Sequence, residues 1–205
     1  MPISLEQHLF RSPLFESVVK QAIQFFESTP LQPLPPDEVF SGVGVYALYL
    51  LTDDGIYQSI AEARATRPIY VGKAVPAGWR TARVRDLSQS TALFRRLREH
   101  SRSVAQAQNL SLSQFRLRFM ILDGVASDLI VPVEAGLTRA YRPLWNTWIE
   151  GFGNHDPGSG RYNQAVSEWD TLHPGRVWAT RLTGPKPDLS QVRAKIQKYL
   201  EDAGT

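Results

Sequence analysis

The sequence predicts an α+β fold: a small mixed or antiparallel β-sheet flanked by helices, with a helical arm before it and an extension after it. Three observations lead there. Residues 43–51 (Val-Gly-Val-Tyr-Ala-Leu-Tyr-Leu-Leu) are a nearly unbroken apolar run of strand length, the best candidate for a central strand. Residues 115–122 alternate, with Phe115, Leu117, Phe119 and Ile121 on one face and Arg116 and Arg118 on the other. Stretches with helical spacing lie between and beyond these runs, giving the order β-β-α-β-α with helical ends.

Each element has a local cause. Leu14, Val18, Ala22 and Phe25 recur at helical spacing over residues 12–27, and the Pro-rich stretch 30–36 ends that helix in an extended connection. This arm packs either on the core or on a second subunit, and the apolar face favours the second subunit. Pro68-Ile69-Tyr70-Val71-Gly72 is a short second strand, followed by a basic loop over 74–90 with Pro76, Gly78 and Trp79. Residues 91–102 form a short helix with Leu93, Phe94 and Leu97 inward and Arg96 and His100 on the opposite face, with Arg95 and Arg98 as close competitors of Arg96 because periodicity fixes the phase only to within a residue or so. Residues 127–141 form a helix with Pro132 in its early turns, stopped by Pro143. Residues 151–160 are a glycine-rich loop, and 188–202 close the chain as an amphipathic helix presenting Leu189, Val192, Ile196 and Tyr199. The expected organisation is a single domain: arm 1–41, catalytic core 42–150 and extension 151–205.

Composition sets the class. The chain has 205 residues, 42% of them apolar, with 5 Trp, 9 Phe and 7 Tyr, which suffices for a substantial core. It has no cysteine, so disulfides and thiolate metal sites are excluded. The first residues lack a basic and an apolar signal region, and no run approaches the roughly 18 apolar residues of a membrane span. A cytoplasmic protein with no membrane partner is expected. The net charge of +3 hides a polarity: residues 64–118 hold 12 Lys/Arg against 2 acids, and the rest holds 11 against 18. A segment at +10, almost all arginine, suits a polyanion, because the guanidinium fork grips phosphate bidentately and reads guanine edges.

The chemistry-bearing residues follow in order. Gly44-Val45-Tyr46 and Tyr70-Val71-Gly72-Lys73 place two tyrosines 24 residues apart on two candidate strands. A phenol serves as general base only if its pKa falls well below about 10, and Lys73 is the nearby cation expected to lower Tyr46. Arg96 can offset charge on a phosphoryl transition state, and His100 can orient an oxygen nucleophile. Glu134 is a lone carboxylate in an apolar stretch, a candidate ligand for a hard cation such as Mg²⁺. Asn146 either caps a turn or hydrogen-bonds in the site. The loop 151–161 lacks the Gly-Lys-Ser/Thr ending of a phosphate loop, and there is no dinucleotide fingerprint, so no nucleotide cofactor is expected. His155 and Asp156 could bind a metal, but a turn cluster is the better reading.

This ordered set resembles the GIY-YIG nuclease superfamily. Gly44-Val45-Tyr46 matches its first motif and Tyr70-Val71-Gly72 its second, with Arg96, His100, Glu134 and Asn146 following and Lys73 matching a lysine that some members carry. A literal Gly55-Ile56-Tyr57 also occurs, but Asp53-Asp54-Gly55 is turn-like, so Tyr46 is taken as the motif tyrosine and the gap as an insertion of about ten residues. Further stretches, among them Arg98-Glu99-His100, Pro143-Leu144-Trp145-Asn146 and residues 151–158, are similar to a type II restriction endonuclease branch that cuts CCGCGG. The resemblance implies Mg²⁺ (or Mn²⁺) on Glu134, double-stranded DNA as substrate and products with 5′-phosphates. It also implies a homodimer, because a palindrome cut on both strands calls for two symmetric sites. Arg80, Arg83, Arg161 and Arg176 are the expected guanine-reading arginines. The rival readings are a repair or homing-type nuclease and a non-catalytic DNA-binding protein.

Overall fold

The computed structural model describes residues 3–52, 55–57, 66–79 and 86–203. In chain order its elements are α1 (Pro13–Ser28), β1 (Gln32–Pro33), β2 (Gly44–Leu50), β3 (Tyr70–Ala74), α2 (Ala92–Gln106), β4 (Phe115–Ile121), α3 (Ile130–Tyr141), α4 (Leu144–Thr147), α5 (Glu168–Leu172) and α6 (Leu189–Ala203). The strands form one four-stranded sheet in the order β1-β4-β2-β3, with every pairing antiparallel. This is the α+β sheet expected from sequence.

β2 is central, and all seven of its residues are buried. Its apolarity on both sides is explained by cover on both faces, the arrangement that turns a strand from alternating to continuous hydrophobicity. Tyr46, Leu48 and Leu50 join Phe115 and Leu117 of β4, Leu93 and Leu97 of α2, and Trp145, Phe152 and Trp169 from the C-terminal third. Val45, Ala47 and Tyr49 join Val71, Met120, Phe26 of α1 and Ile130, Val133 and Leu137 of α3 on the other face. The C-terminal extension is therefore part of the main core, and Val192, Ile196 and Tyr199 of α6 pack into it as their spacing predicts.

Local signals start and stop the helices. The Ser12 side chain accepts from Phe15 N at 3.2 Å, and Pro13 occupies the first turn of α1. Arg142, at φ 44° and ψ 57°, ends α3 in the left-handed conformation just before Pro143. Two helical phases differ from the sequence reading. α1 turns Phe26 fully inward with Ile23 beside it, leaving Leu14 76% and Phe25 60% exposed. With neighbouring apolar residues at 25 and 26, periodicity fits either rotation. The choice falls to α3, where Gly136 leaves no side chain in the way: a Cβ there would sit 2.9 Å from Ile23 Cδ1. In α2, His100 is not opposite Leu93 and Leu97 but in line with them and with Val104, all buried. At about 3.6 residues per turn, positions 93, 97, 100 and 104 form one stripe, and Arg96 flanks it. Among the described residues no helix is long and apolar enough to cross a membrane.

Candidate active site

The site grows from the register of the two motif strands. Tyr46 pairs with Gly72 and Leu48 with Tyr70, so both phenols stand on the sheet face covered by α2. Gly72 is required by this approach: a Cβ there would lie 2.4 Å from the Tyr46 hydroxyl. The phenol therefore passes across the neighbouring strand and reaches His100, with Tyr46 Oη 2.6 Å from His100 Nε2. Tyr70 lies against both rings, at centroid distances of 6.2 Å from Tyr46 and 5.3 Å from His100. Phe152 stacks on His100 at 4.6 Å and 14°.

Arg96 closes this group from the helix. Its guanidinium donates to Glu99 Oε2 at 2.8 Å, to His155 Nε2 at 2.7 Å and to the Gly153 carbonyl at 2.8 Å. It also faces the two phenols electrostatically. Burial pushes the Tyr46 hydroxyl well above the ordinary phenol range, Tyr70 adds to that, and Arg96 opposes it. Tyr70 is raised by burial too, lowered by Arg96 and raised by Glu134. His100 is held well below the usual imidazole range by burial and then by Arg96, so its ring is neutral near pH 7.

This corrects the role expected for Lys73. The same register puts Lys73 opposite Val45, on the far face of the sheet from Tyr46, where it binds Glu134 of α3. A one-residue step along a strand reverses the face, so the residue next to Gly72 cannot stand beside Tyr46 on the same side. The cation acting on Tyr46 is Arg96, and the net displacement of the phenol is upward. Lys73 and Glu134 nonetheless belong to the same region. β3 is the edge strand, and an open cleft of about 450 Å³ at its rim is lined by Lys73, Arg95, Arg96, Glu99 and His155. Tyr70 feels both Arg96 and Glu134, which places it between the two halves.

Asn146 sits at that edge as a backbone clamp. Its Oδ1 accepts from Val71 N and its Nδ2 donates to Val71 O, both at 2.8 Å. The amide imitates a missing neighbouring strand and fixes β3 between Tyr70 and Gly72. Its effect on the site passes through the strand that carries the second motif.

For a divalent cation, Glu134 is the suitable donor, a carboxylate whose side chain is 22% exposed and already holds a cation, Lys73. Among the described residues no group of three or more His, Asp or Glu gathers as a metal cage. A single carboxylate fits Mg²⁺, which keeps most of its ligands as water and phosphate.

The arginines expected to read DNA divide. Arg80 and Arg83 lie outside the described residues. Arg161 is exposed, and its Nε donates to the Pro157 carbonyl at 2.8 Å. Arg176 does not face solvent: it is 1% exposed and donates twice to Asp170, both at 2.6 Å. It also holds the carbonyls of Gly151 (2.8 Å), Phe152 (3.1 Å) and Asn154 (3.3 Å), and its guanidinium lies 4.6 Å from the ring centroids of both Trp169 and Trp178. A buried cation must be paired and hydrogen-bonded, and here every direction is taken by protein, so Arg176 is a clamp on the glycine-rich loop rather than a base reader. That loop carries the residue that sequence reasoning missed. His155 reads as part of a turn, yet it contacts Arg96 and lines the cleft. Asp156 does cap its own turn, accepting from Gly158 N at 2.8 Å.

Tyr57, of the literal Gly-Ile-Tyr string, is absent from the cleft. It is buried, 2.6 Å from His173 Nε2, and accepts from Trp145 Nε1 at 3.2 Å. The assignment of Tyr46 to the first motif strand therefore agrees with the sheet: Tyr46 lies on β2 paired to β3, and Tyr57 lies in a short 3₁₀ turn.

Comparison with curated proteins finds no match. Comparison with family models finds one that spans residues 38–200, that of the Eco29kI GIY-YIG domain. That span takes in every strand of the motif pair, α2, α3 and the loop held by Arg176. The chain belongs to the Eco29kI GIY-YIG family of restriction endonucleases and carries its nuclease domain.

Proposed function

We propose that the protein is a type II restriction endonuclease. It acts as a Mg²⁺-dependent homodimer on both strands of a palindromic, GC-only site of the CCGCGG kind and leaves 5′-phosphates. The observation that carries the chemistry is the buried Tyr46–His100 contact of 2.6 Å beside Arg96 at the head of a basic cleft. A phenol raised in pKa is a poor base alone. Bonded to a neutral imidazole it becomes half of a relay: Tyr46 Oη takes a proton from the attacking water as its own proton passes to His100 Nε2. The water oxygen bonds to phosphorus, the bond to the 3′-oxygen breaks, and that oxygen takes up a proton from solvent. Tyr70 orients the water and the phosphate, and Arg96 offsets the charge that builds on the phosphoryl oxygens. Glu134 is the residue that would hold Mg²⁺, whose charge favours departure of the 3′-oxygen. Lys73 adds a cation at the same edge, and Asn146 keeps β3 in place.

The homodimer is supported by the N-terminal arm. Ile3, Leu5, Leu9, Phe10 and Leu14 are 57–87% exposed, a concentration of large apolar side chains unusual for a surface that stays in water.

Plasmid DNA incubated with the protein and Mg²⁺ tests the reading. Discrete fragments with 5′-phosphate ends are expected, with no cutting in EDTA and none by Glu134→Ala. Cutting only of damaged DNA would indicate a repair enzyme, and a gel shift with intact plasmid would indicate a binding protein. Full activity in EDTA would overturn the metal role.

A further inference from the structure

The loop that supports Arg96 also forms one wall of a second pocket. This pocket has a volume of about 360 Å³ and is lined by Asn154, His155, Arg161, Gln164, Trp178 and Asp170, among others. His155 lines the catalytic cleft as well, so the two hollows meet at that residue. A strand whose phosphate reaches Arg96 would place its neighbouring nucleotide at the second hollow.

The chemistry of the wall suits a nucleobase. Arg161 carries paired donors that match O6 and N7 of guanine, the amides of Asn154 and Gln164 can each offer a single donor or acceptor to a G·C edge, and an aromatic ring offers a base a stacking surface. The acids there are hydrogen-bonded within the protein, and Asp170 is paired with a cation. Asp170 gives both carboxylate oxygens to Arg176, and Asp156 accepts from Gly158 N and from Tyr162 Oη. The wall is also held in shape, because Arg176 ties down the carbonyls of Gly151, Phe152 and Asn154. Pre-organisation of this kind is what a reading site needs in order to tell one base from another.

We propose that this pocket is a base-reading subsite that takes a nucleobase next to the scissile phosphate, with Asn154, Gln164 and Arg161 contacting its edge. The same loop then joins reading to chemistry. Asn154 reads while Gly153, one residue before it, accepts from Arg96 at 2.8 Å, so a base that displaces the loop also displaces the arginine. The inference rests on the nuclease reading above and adds the place where sequence is read.

The test uses the full chain. Plasmid fragments cut by the wild-type protein in Mg²⁺ are sequenced at their ends to define the site. Short duplexes carrying that site, and a set with each base pair replaced in turn, are then cut by wild type and by Asn154→Ala, Gln164→Ala and Arg161→Ala. At least two of the variants are expected to lose about tenfold or more of the kcat/KM ratio between the true site and duplexes altered at one particular base pair, the size of a good base contact. Discrimination equal to wild type at every position overturns the inference and leaves the nuclease reading intact. A uniform loss on all duplexes marks contacts to the backbone and also overturns it. A wild-type protein that cuts nothing overturns both. Thermal melting of the three variants, all at exposed positions, checks that they are folded.

Discussion

Two tyrosine–histidine pairs are buried in this molecule, and their contacts are equally short. Tyr46 meets His100 at 2.6 Å and Tyr57 meets His173 at 2.6 Å. The rings of both histidines are neutral near pH 7, His173 being held down to about 3 by burial. What differs is the surroundings. Tyr57 and His173 line a hollow of about 270 Å³, but the polar atoms of the pair are satisfied by protein: Trp145 Nε1 donates to the phenol oxygen, the phenol donates to His173 Nε2, and His173 Nδ1 donates to Asn109 Oδ1 at 2.9 Å. Beside Tyr46 stands Arg96, which acts on the phenol and itself lines the basic cleft. The first pair is closed by its own hydrogen bonds, as a buried polar network must be to be stable. The second has beside it a charge, Arg96, that reaches an open cleft. A short Tyr–His contact is therefore no mark of catalysis by itself; the cation that acts on the phenol decides.

The two pairs are connected. His100 stacks on Phe152, Phe152 packs on Trp145 at 4.7 Å, and Trp145 packs on His173 at 5.7 Å. Substitutions should separate what this column joins. The largest effect is expected at Tyr46→Phe, where loss of the relay hydroxyl should slow plasmid cleavage by about a hundred- to ten-thousandfold, the range of general acid–base contributions. Duplex binding, measured by fluorescence anisotropy, should remain. If Tyr57→Phe abolishes cutting and Tyr46→Phe does not, the comparison is inverted.

Arg176→Met should come next. It strands the Asp170 carboxylate in the core and frees the loop carbonyls, for a loss of about 3–5 kcal/mol in urea unfolding. Should the variant stay within about 1 kcal/mol of wild type, the common range for surface substitutions, Arg176 does not clamp the loop.

Tyr57→Phe should cost about 1–3 kcal/mol of stability, because His173 Nε2 and Trp145 Nε1 lose their partner, while the cleavage rate at a permissive temperature stays within a few-fold of wild type. A stability loss without a rate loss is the expected signature of the closed pair.

The last effect is the pH dependence of stability. His173 has a folded pKa of about 3, below the 6.5 of the unfolded chain. Between those values the unfolded chain binds the proton and the folded chain does not. The stabilisation is thus fully present above pH 6.5 and lost as pH falls toward 3. His173 should remove about 1.4 kcal/mol per pH unit in that window. His100 has the same sign. Urea midpoints measured at pH 7 and pH 5 should fall for wild type and fall less steeply for His173→Gln; equal slopes would show that His173 is not buried neutral.

Much of the fold was legible because its signals are local. The apolar run over β2, the alternation over β4 and the helical spacing of α6 each depend on a single element presenting its faces to a core. Tyr46 was separable from Tyr57 on the same ground, strand pattern against turn pattern. The spacing of Arg96 and His100 was also readable, since positions four apart on a helix are neighbours wherever the helix goes. His155 carried only a weak signal, a histidine in a glycine-rich loop, because its importance comes from Arg96, which lies 59 residues away in the chain.

The sequence by itself determined the class of the sheet, the two motif strands, the α2 pair Arg96 and His100 and, through its match over residues 38–200, the nuclease family. The tertiary structure decided where the charges meet. It turned Lys73 toward Glu134 and away from Tyr46, buried Arg176 between two tryptophans, and rotated α1 onto Phe26. The physical reason is common to all three. Hydrophobic periodicity records which side of its own element a residue occupies. The partner of a charge, and the rotation of a helix with more than one apolar stripe, depend on what other elements bring to that side.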